Sequence, residues 1–442
     1  MAASRSPHRT GSVPSAPESA GVPAQAAFAA RCLADPELGL AVRHWTGGLR
    51  LGLGDHWLGF TVTDGVLSAG IPEMGEGVIQ VTGPVERWAP LMASPPPPFA
   101  QLAVLVSLGG EAGLERSPTD PMLYWQYSPA AERAVELLAE PAGPGGRAEP
   151  AGPGTIPRHD QPVGRYVHLD LGGADHRIYY EEAGRGIPLL LQHTAGAHGV
   201  QYRHLFEEPA ITDRFRLIAY DLPYHGKSLP PVGPRWWEEE YRLEGAFLRS
   251  VPVGLAAALD LDDPVFMGCS VGGLLALDLA LHHPEVFRAV ISLEGALHIG
   301  GSWEDLFGMW SPQVSNHSKA RMMEALCSPT APEAYVKEVA QVYSAGWPPA
   351  FLGDLHYYVV EFDLRDRAKE IDTDQVGVHI LNGEYDWSGT DALGRAAHEA
   401  IAGSTHTTMT GVGHFPMQEN PAEFLTYLLP VLDTVADTTI GA

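Results

Sequence analysis

The chain is 442 residues long, 45% hydrophobic and 19% charged, which excludes wholesale disorder and leaves room for two folded bodies joined by a linker. Its formal charge of -26, from 54 acidic and 28 basic residues, repels phosphate backbones and anionic lipid, so neither nucleic acid nor a membrane is expected as a partner. Three scattered cysteines, Cys32, Cys269 and Cys327, fit neither a disulfide framework nor a zinc site, and no segment reads as a signal peptide or a membrane span, so a cytoplasmic location is expected.

In chain order, residues 1–25 are rich in Ala, Ser, Pro and Gly, lack hydrophobic periodicity and read as a flexible tail. Residues 26–140 read as an α+β domain. Short strands are expected at 49–54, 57–62, 66–69 and 77–81, with Asp64-Gly65 as a turn, followed by helices near 84–93 and 129–139. Residues 141–164 are so rich in proline and glycine that they can sustain neither a helix nor a central strand, and read as a linker. From 165 to 442 apolar runs at 188–192, 215–220, 264–268, 289–293, 377–381 and 405–409 alternate with helical stretches. That pattern predicts an α/β fold, a mostly parallel sheet covered on both faces, with a cap inserted at about 297–370.

The strongest local pattern is Gly268-Cys269-Ser270-Val271-Gly272-Gly273, which follows an apolar strand and opens a helix. A tight strand-to-helix turn of this form needs glycines where backbones approach, and it exposes the serine beside helix N-terminal N–H groups. A serine hydroxyl needs a base, and among 19 histidines His414 is favoured because it follows the last expected strand, at the sheet edge where such sites form. His379 lies inside a strand and reads as a packing residue. Asp386, in the turn ending the preceding strand, is the expected orienting carboxylate, with Glu384 and Glu294 as rivals.

These segments, with Gln192-His193-Thr194-Ala195-Gly196, the stretch from Asp221 to Ser228, Gly383 to Asp386 and Gly413-His414-Phe415-Pro416, resemble the α/β-hydrolase superfamily over residues 165–442. The resemblance implies a catalytic triad of Ser270, Asp386 and His414, oxyanion donors at the backbone N–H groups of Val271 and Ala195, and no metal or organic cofactor. The chain departs from the family pattern at His193-Thr194, where His-Gly is usual, and at Pro223-Tyr224-His225-Gly226, where Arg-Gly-His-Gly is usual. Residues 26–140, with the run from Thr82 and the prolines at 95–98, resemble sterol-carrier-like domains and show no catalytic constellation.

The expected activity is hydrolysis of a carboxylic ester or lactone of an apolar or aromatic small molecule. His193, Trp303, Trp310, Trp347 and Tyr357 are the candidate substrate contacts, although such rings as readily pack a cap onto its core. Two alternatives stand beside this one. A C–C bond hydrolase acting on a diketone-like product would use polar cap groups such as His298, His317, Arg321 and His356, and a receptor or carrier would bind without cleaving. Self-association into a homo-oligomer is compatible with the chain and unspecified by it.

Overall fold

A computed structural model describes residues 23–108, 113–117, 121–139, 161–301, 306, 311 and 313–437. The tail expected at 1–25 lies largely outside these residues, but its end does not: a helix, Gln25–Ala34, begins inside it. Most of the linker expected at 141–164 is also outside the described residues.

The first body is a five-stranded sheet in the order β3-β2-β1-β4-β5, built from β1 (Gly47–Leu53), β2 (His56–Thr63), β3 (Val66–Ala69), β4 (Val78–Gly83) and β5 (Glu115–Ser117). β2 and β3 form a hairpin closed by Asp64 and Gly65, both at positive φ (49° and 79°), the geometry a two-residue turn needs to match the strand twist. Its core gathers Phe28, Trp45, Leu51, Phe60, Trp88 and Tyr124. The helix expected at 129–139 instead spans Pro121–Glu136 and runs through Pro129, a proline that reads as a helix start when only the sequence is seen.

The second body is an eight-stranded sheet in the order β13-β12-β11-β10-β8-β9-β7-β6. β8 (Ile187–Gln192), β9 (Phe215–Tyr220), β10 (Val265–Cys269), β11 (Ala289–Leu293), β12 (Gly377–Gly383) and β13 (Thr405–Met409) are parallel; the first five are largely buried on both faces, whereas in β13, at the sheet edge, only Met409 is buried. β6 (Val163–Leu171) and β7 (Ala174–Gly184) add an antiparallel hairpin at one edge that the apolar runs did not predict. Both strands are more exposed on one face than on the other, so apolar residues alternate with polar ones and form no continuous run.

Between β11 and β12 the chain leaves the sheet and forms the helices Asn316–Glu324, Glu333–Ala345 and Pro348–His356, then a π-turn over Tyr357–Glu361. The helix Pro121–Glu136 of the first body docks on Asn316–Glu324. There the buried Arg321 pairs with Glu136 (2.5 Å), Glu37 (3.5 Å) and Glu324, and Lys337 bridges Glu37 and Glu324 at 2.7 and 3.0 Å. Among the described residues, no helix is long and apolar enough to cross a membrane.

Candidate active site

At the end of β10 the chain turns sharply into the helix Val271–His282, and Ser270 takes φ 59° and ψ -113°, a conformation an L-residue adopts only when its surroundings impose it. Two constraints impose it here. The Ser270 N–H donates to the Leu293 carbonyl at 2.9 Å, and the turn is so tight that a Cβ on Gly268 would collide with the backbone of Gly272.

His414 and Asp386 meet directly. The imidazole Nδ1 lies 2.8 Å from Asp386 Oδ2, and both side chains are buried. Asp386 also accepts the N–H groups of Ser388 (2.7 Å) and Gly389 (2.9 Å). Burial alone would raise its pKa, but the charge and hydrogen bond of His414, together with these donors, hold the carboxyl below its ordinary value, so it stays ionised. The His414 loop is itself fixed. Glu419 accepts N–H groups from Gly413 (2.5 Å), Ser328 (3.2 Å) and Phe415 (3.3 Å), and the Cys269 thiol donates to the His414 carbonyl at 3.2 Å, joining the loop to the residue before Ser270.

The two rival carboxylates stand elsewhere. Glu384 accepts the Gly411 N–H at 2.9 Å. Glu294 is fully buried behind Asp386, accepts the Gly383 N–H at 2.8 Å, and faces Asp386 itself. Burial first, and then the Asp386 charge, push its pKa well above the carboxylate range. Burial and the neighbouring anion thus favour the protonated form of Glu294, which can donate to the ionised Asp386 it faces.

The N–H of Val271 opens a helix, where it has no intrahelical acceptor. In the loop after β8 the N–H groups on either side of Ala195 are engaged: Thr194 with Gln201 Oε1 (3.0 Å) and Gly196 with Asp354 Oδ2 (2.7 Å). Among the described residues the buried Ala195 N–H has no protein acceptor. A buried donor left open is costly, and its existence points to a ligand oxygen.

The residues expected to touch substrate are distributed differently. His193 is buried, donates from Nδ1 to the Thr194 carbonyl (2.8 Å) and accepts the Leu222 N–H at Nε2 (3.1 Å). Burial and the neighbouring His225 push its pKa well below 6.5, so it is a neutral tie between two loops. Trp347 stacks on Tyr224 at 5.9 Å and meets Trp236 edge-on, lining a cavity of about 610 Å³ that includes none of Ser270, Asp386 and His414. Tyr357 points its hydroxyl at Asp278 (3.1 Å) on the helix behind the serine. The next residue, Tyr358, faces the other way: its hydroxyl lies beside Ser270 and is hydrogen-bonded to the Ser388 hydroxyl at 2.9 Å. Trp303 and Trp310 lie outside the described residues. Sequence reasoning also passed over Asp354, whose Oδ2 holds both Gly196 and His225 Nε2 (2.8 Å), linking the cap to the loop of Ala195. A lone Asp in an aromatic helix carries no motif that would reveal this.

Residues 187–421 match the alpha/beta hydrolase fold family, and the chain belongs to it. Among curated proteins, 3-oxoadipate enol-lactonase 2 of Acinetobacter baylyi is 38% identical over 88 residues, 20% of this chain and 30% of that one. The pimeloyl-[acyl-carrier protein] methyl ester esterase of Vibrio cholerae is 24% identical over 207 residues, 44% of this chain and 75% of that one. A relative from Azorhizobium caulinodans matches at 29% over 175 residues, and there the chain spans 55% of the relative's length. Among solved structures, a thermophilic esterase from Thermogutta terrifontis shares the fold with a TM-score of 0.53 and 18% identity, over 62% of this chain and 99% of that one.

Proposed function

We propose that the protein is a serine hydrolase that cleaves a carboxylic ester or lactone of an apolar small molecule through an acyl-enzyme. The observation that carries this reading is the joined His414–Asp386 pair on the same sheet edge as Ser270, which the strained turn presents at positive φ. In this reading His414 Nε2 takes the Ser270 proton as Oγ attacks the carbonyl, Asp386 stabilises the imidazolium, and the N–H groups of Val271 and Ala195 hold the developing oxyanion. His414 then returns the proton to the leaving alkoxide and, in the second half, activates the water that opens the acyl-enzyme.

The relatives whose names specify an enol-lactone and a methyl ester support the ester or lactone class. The rings of Tyr343, Phe351 and Phe415, in contact with one another beside His414, suit an apolar substrate. A C–C bond hydrolase would need polar cap groups at the reacting centre. Arg321, one of those considered for that role, is instead committed to the acidic residues at the junction with the first body.

The test is hydrolysis of short- and long-chain aryl esters and an aromatic lactone by the wild type and Ser270→Ala. Activity on at least one ester or lactone that vanishes in the variant is expected. A folded wild type inert towards the whole panel would sink the reading.

A further inference from the structure

Lys319 sits in the cap helix Asn316–Glu324, is 3% exposed, and has no hydrogen-bond acceptor for its Nζ among the described residues. The other strongly buried cation of this helix, Arg321, is surrounded by three carboxylates. An ammonium removed from water without a counter-charge is costly, and such a group persists where something outside the chain completes it.

Its position says what that something is. The Lys319 Nζ lies 5.5 Å from the centre of the Phe351 ring. Phe351 packs so closely on Gly196, next to Ala195, that a Cβ there would collide with it. Phe351 also meets the ring of Tyr343, which in turn meets Phe415 beside His414, while the Tyr343 hydroxyl is hydrogen-bonded to Thr194. The ammonium therefore belongs to the layer of side chains that packs on Gly196, the residue after Ala195. Asp354, the carboxylate whose charge acts on Lys319, is already hydrogen-bonded to Gly196, His225 and Tyr241. Burial holds the Lys319 pKa down to about 8, and at pH 7 the side chain is still mainly the cation.

We propose that Lys319 forms an anion subsite, so that the natural substrate, apolar around the scissile carbonyl, carries one remote carboxylate that pairs with its Nζ. This rests on the hydrolase reading of the site above. A carboxylate fits better than a phosphate monoester, because one ammonium among Met322, Met323 and Phe351 balances one negative charge and would leave a dianion partly uncompensated. The net charge of -26 disfavours an anion at long range, but screening over ~8 Å in physiological salt confines that effect to the approach, leaving selection to the local contact.

The experiment compares two aryl esters of matched length, 4-nitrophenyl hexanoate and the mono-4-nitrophenyl ester of adipic acid, on the wild type and Lys319→Met. Adipate itself is titrated calorimetrically into both proteins. The wild type should prefer the carboxylate-bearing ester by at least about tenfold in kcat/KM, mainly through KM, the range expected for one charge-assisted contact. Lys319→Met should lose that preference, its kcat/KM falling far more on the adipate ester than on the hexanoate, and gain thermal stability, since a buried unpaired charge is gone. A wild type that hydrolyses both esters equally and binds no adipate overturns the subsite, whatever the variant does. A wild type that hydrolyses neither ester but binds adipate only when Lys319 is present retains the subsite and removes the hydrolase reading.

Discussion

Glu294 and Asp386 are two carboxyl groups buried in one place, and their environments drive them to opposite protonation states. Asp386 has His414 and two backbone donors and stays charged, whereas Glu294 has one backbone donor and an anion for a neighbour and keeps its proton. The pair thus becomes one charge with a well-placed donor behind it. Glu294→Gln keeps an N–H to offer Asp386 and should retain kcat/KM within a few-fold. Glu294→Leu removes the donor and should lower kcat/KM about 10–100-fold, the ~1.5–3 kcal/mol of a hydrogen bond to a charged group. Steady-state kinetics on the best aryl ester distinguishes the two, and equal losses in both variants would show that the carboxyl acts by something other than donation. Asp386→Asn, which presents the wrong hydrogen-bond pattern to the imidazole, should cost on the order of 10⁴ in kcat with the fold intact.

At the scale of elements, the turn between β10 and the helix Val271–His282 is the most sequence-determined part of the molecule. Gly268 abuts Gly272, and a Cβ on Gly273 would meet the Leu293 carbonyl, so glycine spacing alone identifies the turn. Gly268→Ala should destabilise the protein by at least about 3 kcal/mol in urea unfolding, because the collision is with backbone and no rotamer change relieves it. Five of the six parallel strands were equally legible, since burial on both faces writes each as an apolar run, and β13 was placed by its position before His414 rather than by apolarity. The hairpin of β6 and β7 was not, because strands exposed on one face alternate. The excursion from the sheet between β11 and β12 was legible, yet the orientation of its side chains was hidden. Tyr357 and Tyr358 are adjacent rings in an aromatic helix, and only the π-turn over Tyr357–Glu361 determines that the first reaches Asp278 and the second reaches Ser270. Trp347 likewise reads as a substrate contact from composition, and packs against Tyr224 and Trp236 instead.

Over the whole molecule, the first body is tied to the cap through Arg321 and Lys337, so the helix that carries Lys319 is braced from outside the hydrolase fold. Arg321→Ala removes the cation buried between Glu136 and Glu324, which keep Arg133 and Lys337 as partners, and should cost about 1.5–3 kcal/mol, measured by urea unfolding; a loss below about 0.5 kcal/mol would mean the junction is held by other contacts. Glu132 lies in the same docking helix, and burial, partly offset by Arg321, raises its pKa to about 7. The folded state therefore binds its proton more tightly than the unfolded chain, whose value is ~4.3. This group's contribution is fully present below that value, declines as pH rises towards 7 and is level above it. Glu132→Gln has no proton to lose, so its stability relative to wild type should rise from pH 4.5 to 7 in denaturant titrations; a constant difference across that window would contradict the assignment. The nucleophilic role proposed for Ser270 is open to test by its covalent chemistry. The native protein is treated with a fluorophosphonate and its intact mass and peptide map are recorded. A single stoichiometric adduct on Ser270 is expected, absent from Ser270→Ala and greatly slowed in His414→Ala. A folded protein that stays unmodified, or is modified at another residue, would contradict it.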